Sequence, residues 1–315
     1  MITLLNKDRF IYDLEYRVVD IVKEYQETGQ VILSTNNEGI CLERANFYSL
    51  LDYICESFNI DKSRVTIQTA NGIERHEVYK IDGKNNLHWF MSTKQSIPSN
   101  YVPFKEKDLK TVGCFVGKLN WNRGLILSWL HKNYKEQCLL TCHYRHEDSQ
   151  KLQSEFTELN FYNSDNLSEV VEFTKYCPLV LDESFNEFTI GPPNHLTILN
   201  QYKNIFLDLT AETYIMGNTF FPTEKTLRPM IAKTPFIVLG PKNYLHYLKK
   251  LGFKTFSNWW DESYDHCEGV HRIEEIKKVL KNILTKSSDE LQEMLSDMKE
   301  TLEHNYNHYM DGGYE

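Results

Sequence analysis

The chain has 315 residues, of which 41% are hydrophobic and 13% aromatic, and this composition excludes a collagen-like, disordered or low-complexity protein. Its net charge of −9 disfavours a large nonspecific nucleic-acid surface, because neutralisation of phosphates dominates such binding. No apolar run approaches the ~18 residues that a bilayer span requires, and the opening residues lack the pattern of a secretory signal. We therefore expect a cytoplasmic globular protein whose seven cysteines, an odd number, are reduced core residues.

The first part of the chain predicts a strand, a loop and a helix, followed by a second strand. An apolar run at 30–34 ends in a polar loop, and apolar residues then recur at helical spacing between 42 and 58. A further β-prone run at 65–68 leads into turn-prone residues at 69–72. Strands that alternate with helices in this way favour a parallel sheet.

A polar, proline-containing stretch at 92–108 shows little periodicity and precedes a second α/β series. We place the domain boundary there, which predicts domains at 1–105 and 106–315. The predicted strands of the second series span 112–116, 137–142, 178–182, 204–209, 235–239 and 254–256. The predicted helices span 123–133, 223–233, 243–251, 270–284 and 288–306. The expected fold class is α/β, with two Rossmann-like domains that face a central cleft.

Positive charge is concentrated in one segment of this acidic chain. Between 222 and 258 there are seven basic residues and a single acidic residue, Glu224. A smaller basic excess lies between 99 and 135. Such segments are compatible with anion binding, and also with solvated helix faces.

Within the larger basic segment, Thr223, Glu224 and Lys225 stand at the predicted start of a helix. A helix start presents unpaired backbone N–H groups and a partial positive charge, so it attracts anions. Lys225 and Arg228 add full charges, and the planar guanidinium suits phosphate oxygens. The pattern predicts a diphosphate site, with an ordinary capped helix and a solvated basic face as the alternative.

Three segments of the second domain, IFLDLTAET (205–213), FPTEK (221–225) and PFIVLGP (235–241), resemble the donor-site region of α1,3-fucosyltransferases. They are also similar to related glycosyltransferase-like proteins often encoded by phages, whose continuation resembles GFKTF (252–256) and WDESY (260–264). The resemblance implies a GT-B architecture in which Glu212 and Glu224 contact hydroxyls of the donor's sugar or ribose and Lys225 contacts its diphosphate. Thr213 stands where the family usually has asparagine, so fucose does not follow as the sugar.

The run 115–123 predicts a strand, a short loop and the start of a helix. It occupies the place where such transferases often begin the donor-binding domain and supply a basic side chain to the phosphates. Lys118 or Arg123 is the candidate for that contact. The alternative is a surface turn with incidental charge.

Two loop carboxylates are candidates for the catalytic base in the first domain. Glu38 follows the first predicted strand, and Glu74 follows the turn after the second. An inverting transferase needs a base that takes the proton of the acceptor hydroxyl during its attack on the anomeric carbon. For each residue a solvated loop glutamate is the alternative.

Together these features favour a metal-independent, inverting glycosyltransferase that moves a sugar from a nucleotide-sugar donor to a hydroxyl acceptor. No Asp-x-Asp pair follows a predicted strand, and a cluster at 138–146 lacks a second pair of zinc ligands, so neither a metal nor a cofactor is expected besides the co-substrate. The expected acceptor is a glycan or a hydroxymethylated base in phage DNA, and a phage-encoded chain would act in the host cytoplasm. The alternative function is a noncatalytic nucleotide- or carbohydrate-binding α/β protein.

Overall fold

A computed structural model describes residues 1–4, 10–35, 39–83, 102–144, 152, 154, 164–180 and 198–312 of the chain. These residues form an α/β protein with two parallel sheets of four strands each, which confirms the α/β class. The chain divides into two units, Met1–Phe90 with Met216–Thr223, and Met91–Ile215 with Glu224–Glu315. Among the described residues, none of the helices combines the length and the apolar character that a membrane span requires.

The first unit contains a parallel sheet with the strand order β1-β2-β3-β4. Its strands are β1 (Ile2–Thr3), β2 (Val31–Ser34), β3 (Val65–Thr69) and β4 (Lys80–Gly83). Its helices are α1 (Phe10–Tyr16), α2 (Val18–Thr28) and α3 (Phe47–Ser57). Parallel neighbours require crossover connections, and α3 supplies the one between β2 and β3.

The core of the first unit follows from alternation along β2 and β3. Val31 and Leu33 are fully buried, as are Val65 and Ile67 on the neighbouring strand, while the residues between them are half-buried. The apolar face of α3 joins the same core. The edge strand β4 is largely polar and only partly buried. It therefore has no apolar run from which the sequence could predict a strand.

The second unit contains a parallel sheet with the strand order β6-β5-β7-β8. Its strands are β5 (Lys110–Val116), β6 (Cys138–Cys142), β7 (Ile205–Ala211) and β8 (Phe236–Leu239). Its helices are α4 (Trp121–Tyr134), α5 (Ser164–Thr174), α6 (Glu224–Ile231), α7 (Tyr244–Lys250), α8 (Gly269–Leu284), α9 (Ser288–Asp297) and α10 (Lys299–Met310). Every residue of the central strand β7 is buried, as expected where helices cover both faces of a parallel sheet.

The chain returns to the first unit between β7 and α6. The returning residues, Met216–Thr223, contact the loop that follows β3, where the Asn71 side chain accepts from Phe220 N at 2.9 Å. Gly217 has a φ of +86°, and a Cβ there would lie 2.8 Å from Cys41 Cβ, so the close approach requires glycine. The expected division at 105 and 106 contains no such return, since it assigns all residues after 105 to one domain.

Two predictions for the second unit are wrong. Residues 254–256 do not form a strand, because side chains take their backbone groups: Lys254 N donates to Asn305 Oδ1 at 2.8 Å and Phe256 N to Glu262 Oε1 at 2.7 Å. The helix predicted at 288–306 is two helices, α9 and α10, which meet at the fully buried Met298.

Candidate functional site

The strand order of the second unit creates a topological switch point between β5 and β7. The connection after β5 runs through α4 to β6 on one side, whereas the connection after β7 leads through α6 to β8 on the other. Open α/β sheets bind ligands in the crevice beyond the carboxyl ends of the strands at such a point. The residues that follow β5 and β7 therefore define the candidate site of this unit.

Arg123 joins the two sides of the switch point. It lies in the first turn of α4, where its backbone N donates to the capping Asn120 Oδ1 at 3.1 Å. Its guanidinium donates to Lys118 O at 2.9 Å and to the carbonyls of Ala211 and Glu212, both at 3.0 Å. Arg123 thus holds the loop after β5 against the end of β7.

The Arg123 side chain is buried, but one of its nitrogens makes no hydrogen bond to the described residues. Burial lowers the pKa of the guanidinium, and the negative charges of Glu212 and Glu224 oppose that shift. Within the described residues, its Nε is a buried donor without a hydrogen-bond partner. The Lys118 side chain, by contrast, is exposed on the loop after β5. Of the two predicted phosphate contacts, Lys118 is the accessible charge and Arg123 the buried one.

Glu212 follows β7 directly and is only 1% exposed. Its Oε1 accepts from the Thr226 hydroxyl at 2.6 Å and from the Tyr244 hydroxyl at 3.1 Å. Its Oε2 accepts from Thr213 N at 3.3 Å. The carboxylate is therefore part of a hydroxyl network that includes α6 and α7.

At the start of α6, the carboxylate of Glu224 pairs with two cationic side chains, those of Lys225 and Arg228. Glu224 Oε1 lies 3.1 Å from Lys225 Nζ and 3.9 Å from an Arg228 guanidinium nitrogen. Burial alone would raise the pKa of Glu224, but the charges of Lys225 and Arg228 outweigh it and lower the pKa to about 2. Glu224 is thus ionised at neutral pH and orients both cations.

A second buried carboxyl, that of Asp208, lies on β7, the strand that Glu212 follows. Asp208, in the middle of β7, is 2% exposed and accepts from the Thr210 hydroxyl at 2.6 Å. Burial raises its pKa to about 7, although the Thr210 hydroxyl and the charge of Arg228 act in the opposite direction. Asp208 stands out in the sequence as an acid in the apolar run IFLDL. Its raised pKa depends on burial, which the run alone does not reveal.

The second unit brings together most of the residues for which the sequence predicts donor binding. Arg123, Glu212 and Glu224 interact electrostatically, and Glu224 pairs with Lys225 and Arg228. These residues are separated by up to 105 positions in the sequence, from 123 to 228, and meet beside the switch point. Thr223 is the last residue of the segment that returns to the first unit.

Neither protein-family models, curated proteins nor solved structures give a match to this chain.

In the first unit, the predicted base Glu74 lies in the loop after β3 and is 5% exposed. Its carboxylate accepts from the Tyr48 hydroxyl at 2.9 Å, from Asn71 Nδ2 at 2.8 Å and from Leu42 N at 3.5 Å. Burial raises the pKa of Glu74, and the hydrogen bonds limit the increase. The rival base, Glu38, lies outside the described residues.

An aromatic group packs beside Glu74. The ring of His76 lies 4.2 Å from the ring of Tyr48 and 4.9 Å from that of Tyr79. His76 Nδ1 accepts from Val78 N at 3.2 Å, so the proton of the neutral imidazole is on Nε2. In this part of the chain the sequence predicted Glu74 but not its partners Tyr48 and Asn71, because neither has a local pattern that points to a distant carboxylate.

The donor side has similar unpredicted partners. Thr226 lies between the predicted Lys225 and Arg228, and helical spacing alone gives no indication that its hydroxyl meets Glu212. Tyr244 opens α7 and resembles an ordinary core aromatic in the sequence. The described residues contain no group of three or more histidine, cysteine, aspartate or glutamate side chains arranged to hold a metal ion. The cysteines of the same residues are free, and most are buried.

Proposed function

We propose that this chain is a GT-B glycosyltransferase that transfers a sugar from a nucleotide-sugar donor to a hydroxyl acceptor without a metal. The observation that carries the proposal is the meeting of Arg123, Glu212, Glu224, Lys225 and Arg228 beside the switch point of the second sheet. The resemblance to transferase donor sites selected Glu212, Glu224 and Lys225, and the place of 115–123 in such transferases selected Arg123. Arg228 was selected from its charge near the helix start. Neither reason requires Arg123 and Glu212 to be close to the residues of α6 in space.

The proposed diphosphate site uses Lys225, Arg228 and the start of α6. The two side chains carry the positive charge that the leaving diphosphate needs, and the backbone N–H groups of a helix start add to it. Glu224 keeps both cations in one orientation in the free protein. When the donor binds, the diphosphate competes with Glu224 for Lys225, and Glu224 turns to donor hydroxyls.

The reaction requires a base and a leaving group. The acceptor oxygen attacks the anomeric carbon, the bond between that carbon and the phosphate oxygen breaks, and the nucleoside diphosphate leaves with the bonding electrons. A carboxylate of the first unit takes the hydroxyl proton, and Glu74 suits this role because burial raises its pKa and makes it a stronger base. The side-chain cations replace the charge that a divalent ion supplies in metal-dependent transferases.

One observation favours the noncatalytic alternative. Both oxygens of Glu74 already accept hydrogen bonds, from the Tyr48 hydroxyl and from the Asn71 amide. A carboxylate that is engaged in this way must exchange one of these partners for the acceptor hydroxyl before it can take a proton. If that exchange does not occur, the phosphate site would bind nucleotides without transfer.

Titration calorimetry with UDP and GDP in the presence of a chelator tests the donor site. We expect one of them to bind to the wild type, to bind much less to Lys225→Ala, and to bind unchanged to Lys281→Ala, a matched exposed lysine on α8. Release of nucleoside diphosphate from a panel of nucleotide sugars, with and without oligosaccharide or hydroxymethylcytosine-containing DNA, then separates transfer from binding. If neither UDP nor GDP binds, the proposal is refuted. If one of them binds but no nucleotide sugar gives acceptor-dependent release, the noncatalytic alternative is supported.

A further inference from the structure

We infer that Glu212 is a positioning residue that acts together with Thr226 and Tyr244, and that it does not touch the donor. This inference rests on the proposed function and changes the role that the resemblance implies for Glu212. We call Glu212, Thr226 and Tyr244 the hydroxyl triad. It joins the end of β7 to the first turn of α6 and to the first residue of α7.

The hydrogen-bond geometry of the triad is close to saturation. The Thr226 hydroxyl lies 2.6 Å from Glu212 Oε1 and 2.8 Å from the Tyr244 hydroxyl, and the Tyr244 hydroxyl lies 3.1 Å from the same carboxylate oxygen. Two hydroxyls hold two protons, so these short contacts use both protons within the triad. A donor hydroxyl that bound to Oε1 would have to displace one of them.

Burial makes this arrangement durable. Glu212 is 1% exposed, and Thr226 and Tyr244 are fully buried. Burial, followed by the charge of Glu212, raises the pKa of the Tyr244 phenol well above its ordinary value, so the phenol keeps its proton at all physiological pH values. A buried carboxylate that loses its donors is costly, which ties the position of Glu212 to both hydroxyls.

The helix that the triad holds needs such support. The α6 helix has 8 residues and contains Pro229, which cannot donate the usual hydrogen bond to the carbonyl four residues earlier. Isolated helices of this length are unstable in water, so tertiary contacts must fix the helix. Thr226 is the contact point in its first turn, directly after Lys225 and two residues before Arg228. The triad therefore sets the positions from which both cations reach a diphosphate.

The chain allows a test by single-atom changes. Tyr244→Phe and Thr226→Val each remove one hydroxyl of the triad. Thr226→Ser is the matched control that keeps the hydroxyl at 226. Tyr176→Phe is the control for the tyrosine, because Tyr176 is an exposed tyrosine of the same unit. The probe is the nucleoside diphosphate alone. It lacks the transferred sugar that Glu212 would touch if it contacted the donor directly. We expect Tyr244→Phe and Thr226→Val to weaken its binding about 5- to 20-fold, as for the loss of a hydrogen bond. Thr226→Ser and Tyr176→Phe should bind like the wild type.

A second measurement does not require any nucleotide. Amide hydrogen exchange in α6 should become faster in Tyr244→Phe and Thr226→Val, at temperatures where circular dichroism shows that the variants are folded, and should return to the wild-type rate in Thr226→Ser. Unchanged exchange and unchanged affinity would overturn the inference. If the wild type binds no nucleotide but exchange still responds, the positioning role stands and the proposed function fails. If Glu212→Gln weakens binding of the nucleotide sugar but not of the diphosphate, while the hydroxyl variants bind normally, Glu212 contacts the sugar directly and the inference is wrong.

Discussion

The Asn71 side chain holds Phe220 through an amide contact of 2.9 Å, in which its Oδ1 accepts from the Phe220 backbone N. Its Nδ2 donates to Asn218 O at 2.9 Å and to Glu74 Oε2 at 2.8 Å. One buried side chain thus fixes the segment 216–223 and the candidate base of the first unit. The same segment ends at Thr223, directly before the first residue of α6.

Asn71→Ala should destabilise the first unit and loosen the segment 216–223. The substitution leaves the buried Phe220 N and the buried Glu74 carboxylate each without one partner, and each such loss costs about 1 to 3 kcal/mol, whereas water can replace the partner of the carbonyl of the exposed Asn218. Chemical denaturation should therefore show a lower free energy of unfolding than the wild type, and proteolysis should cut more readily within 216–223. Asn307→Ala, at an exposed position of α10, serves as the control. Equal stability of the two variants would show that the amide contacts contribute little.

Lys225→Ala should weaken nucleoside diphosphate binding by about 1.5 to 3 kcal/mol, the usual contribution of a hydrogen bond to a charged group. The ammonium is proposed to contact the diphosphate in the ground state and in the transition state, so affinity falls while turnover at saturation changes little. Calorimetry and initial rates measure the two effects. A normal affinity together with a large loss of turnover would mean that Lys225 acts on chemistry and not on binding.

Glu74→Gln should leave donor affinity nearly unchanged and lower turnover by about a hundredfold or more, because the amide keeps the shape but cannot accept a proton. The variant keeps one acceptor oxygen for the Tyr48 hydroxyl, but its amide N–H groups replace the oxygen that accepts from Asn71 Nδ2, so thermal denaturation must show that the variant is folded before its turnover is compared. The rival substitution Glu38→Gln is measured in parallel. If that variant loses turnover and Glu74→Gln does not, the base lies in the loop after β2. If neither variant loses turnover, the binding protein becomes the better interpretation.

Asp208 should make stability fall as the pH rises from about 4 to about 7. Its pKa is about 7 in the folded protein against an ordinary value of about 3.8, so the folded state binds more protons in this window and loses that advantage as the pH rises. Lys105, whose pKa burial lowers to about 7, is protonated in both states over most of this range and changes the slope only above it. Asp208→Asn should flatten this slope and so reduce the loss of stability across the window by a few kcal/mol at most, as judged from denaturation midpoints measured across it. An unchanged slope would place the pH dependence elsewhere.

The sequence alone determined the repeating strand and helix pattern and the start of the helix that follows Pro222. Apolar runs at 30–34, 65–68, 112–116, 204–209 and 235–239 all correspond to strands, because burial on a parallel sheet imposes a local apolar pattern. The start of α6 at Glu224 was predicted to within one residue from Pro222, Thr223 and the apolar spacing that follows. These features depend on neighbours in sequence, which a pattern can record.

Only the tertiary structure decided which side chains meet. Glu212 contacts Tyr244 across 32 positions, and Asn71 contacts Phe220 across 149, and no local pattern encodes such pairs. The same reason explains the strand wrongly predicted at 254–256, where Asn305 and Glu262 take backbone groups that a strand would use. A hydrogen bond between distant residues depends on the fold of the whole unit, whereas a helix or a strand depends first on its own residues.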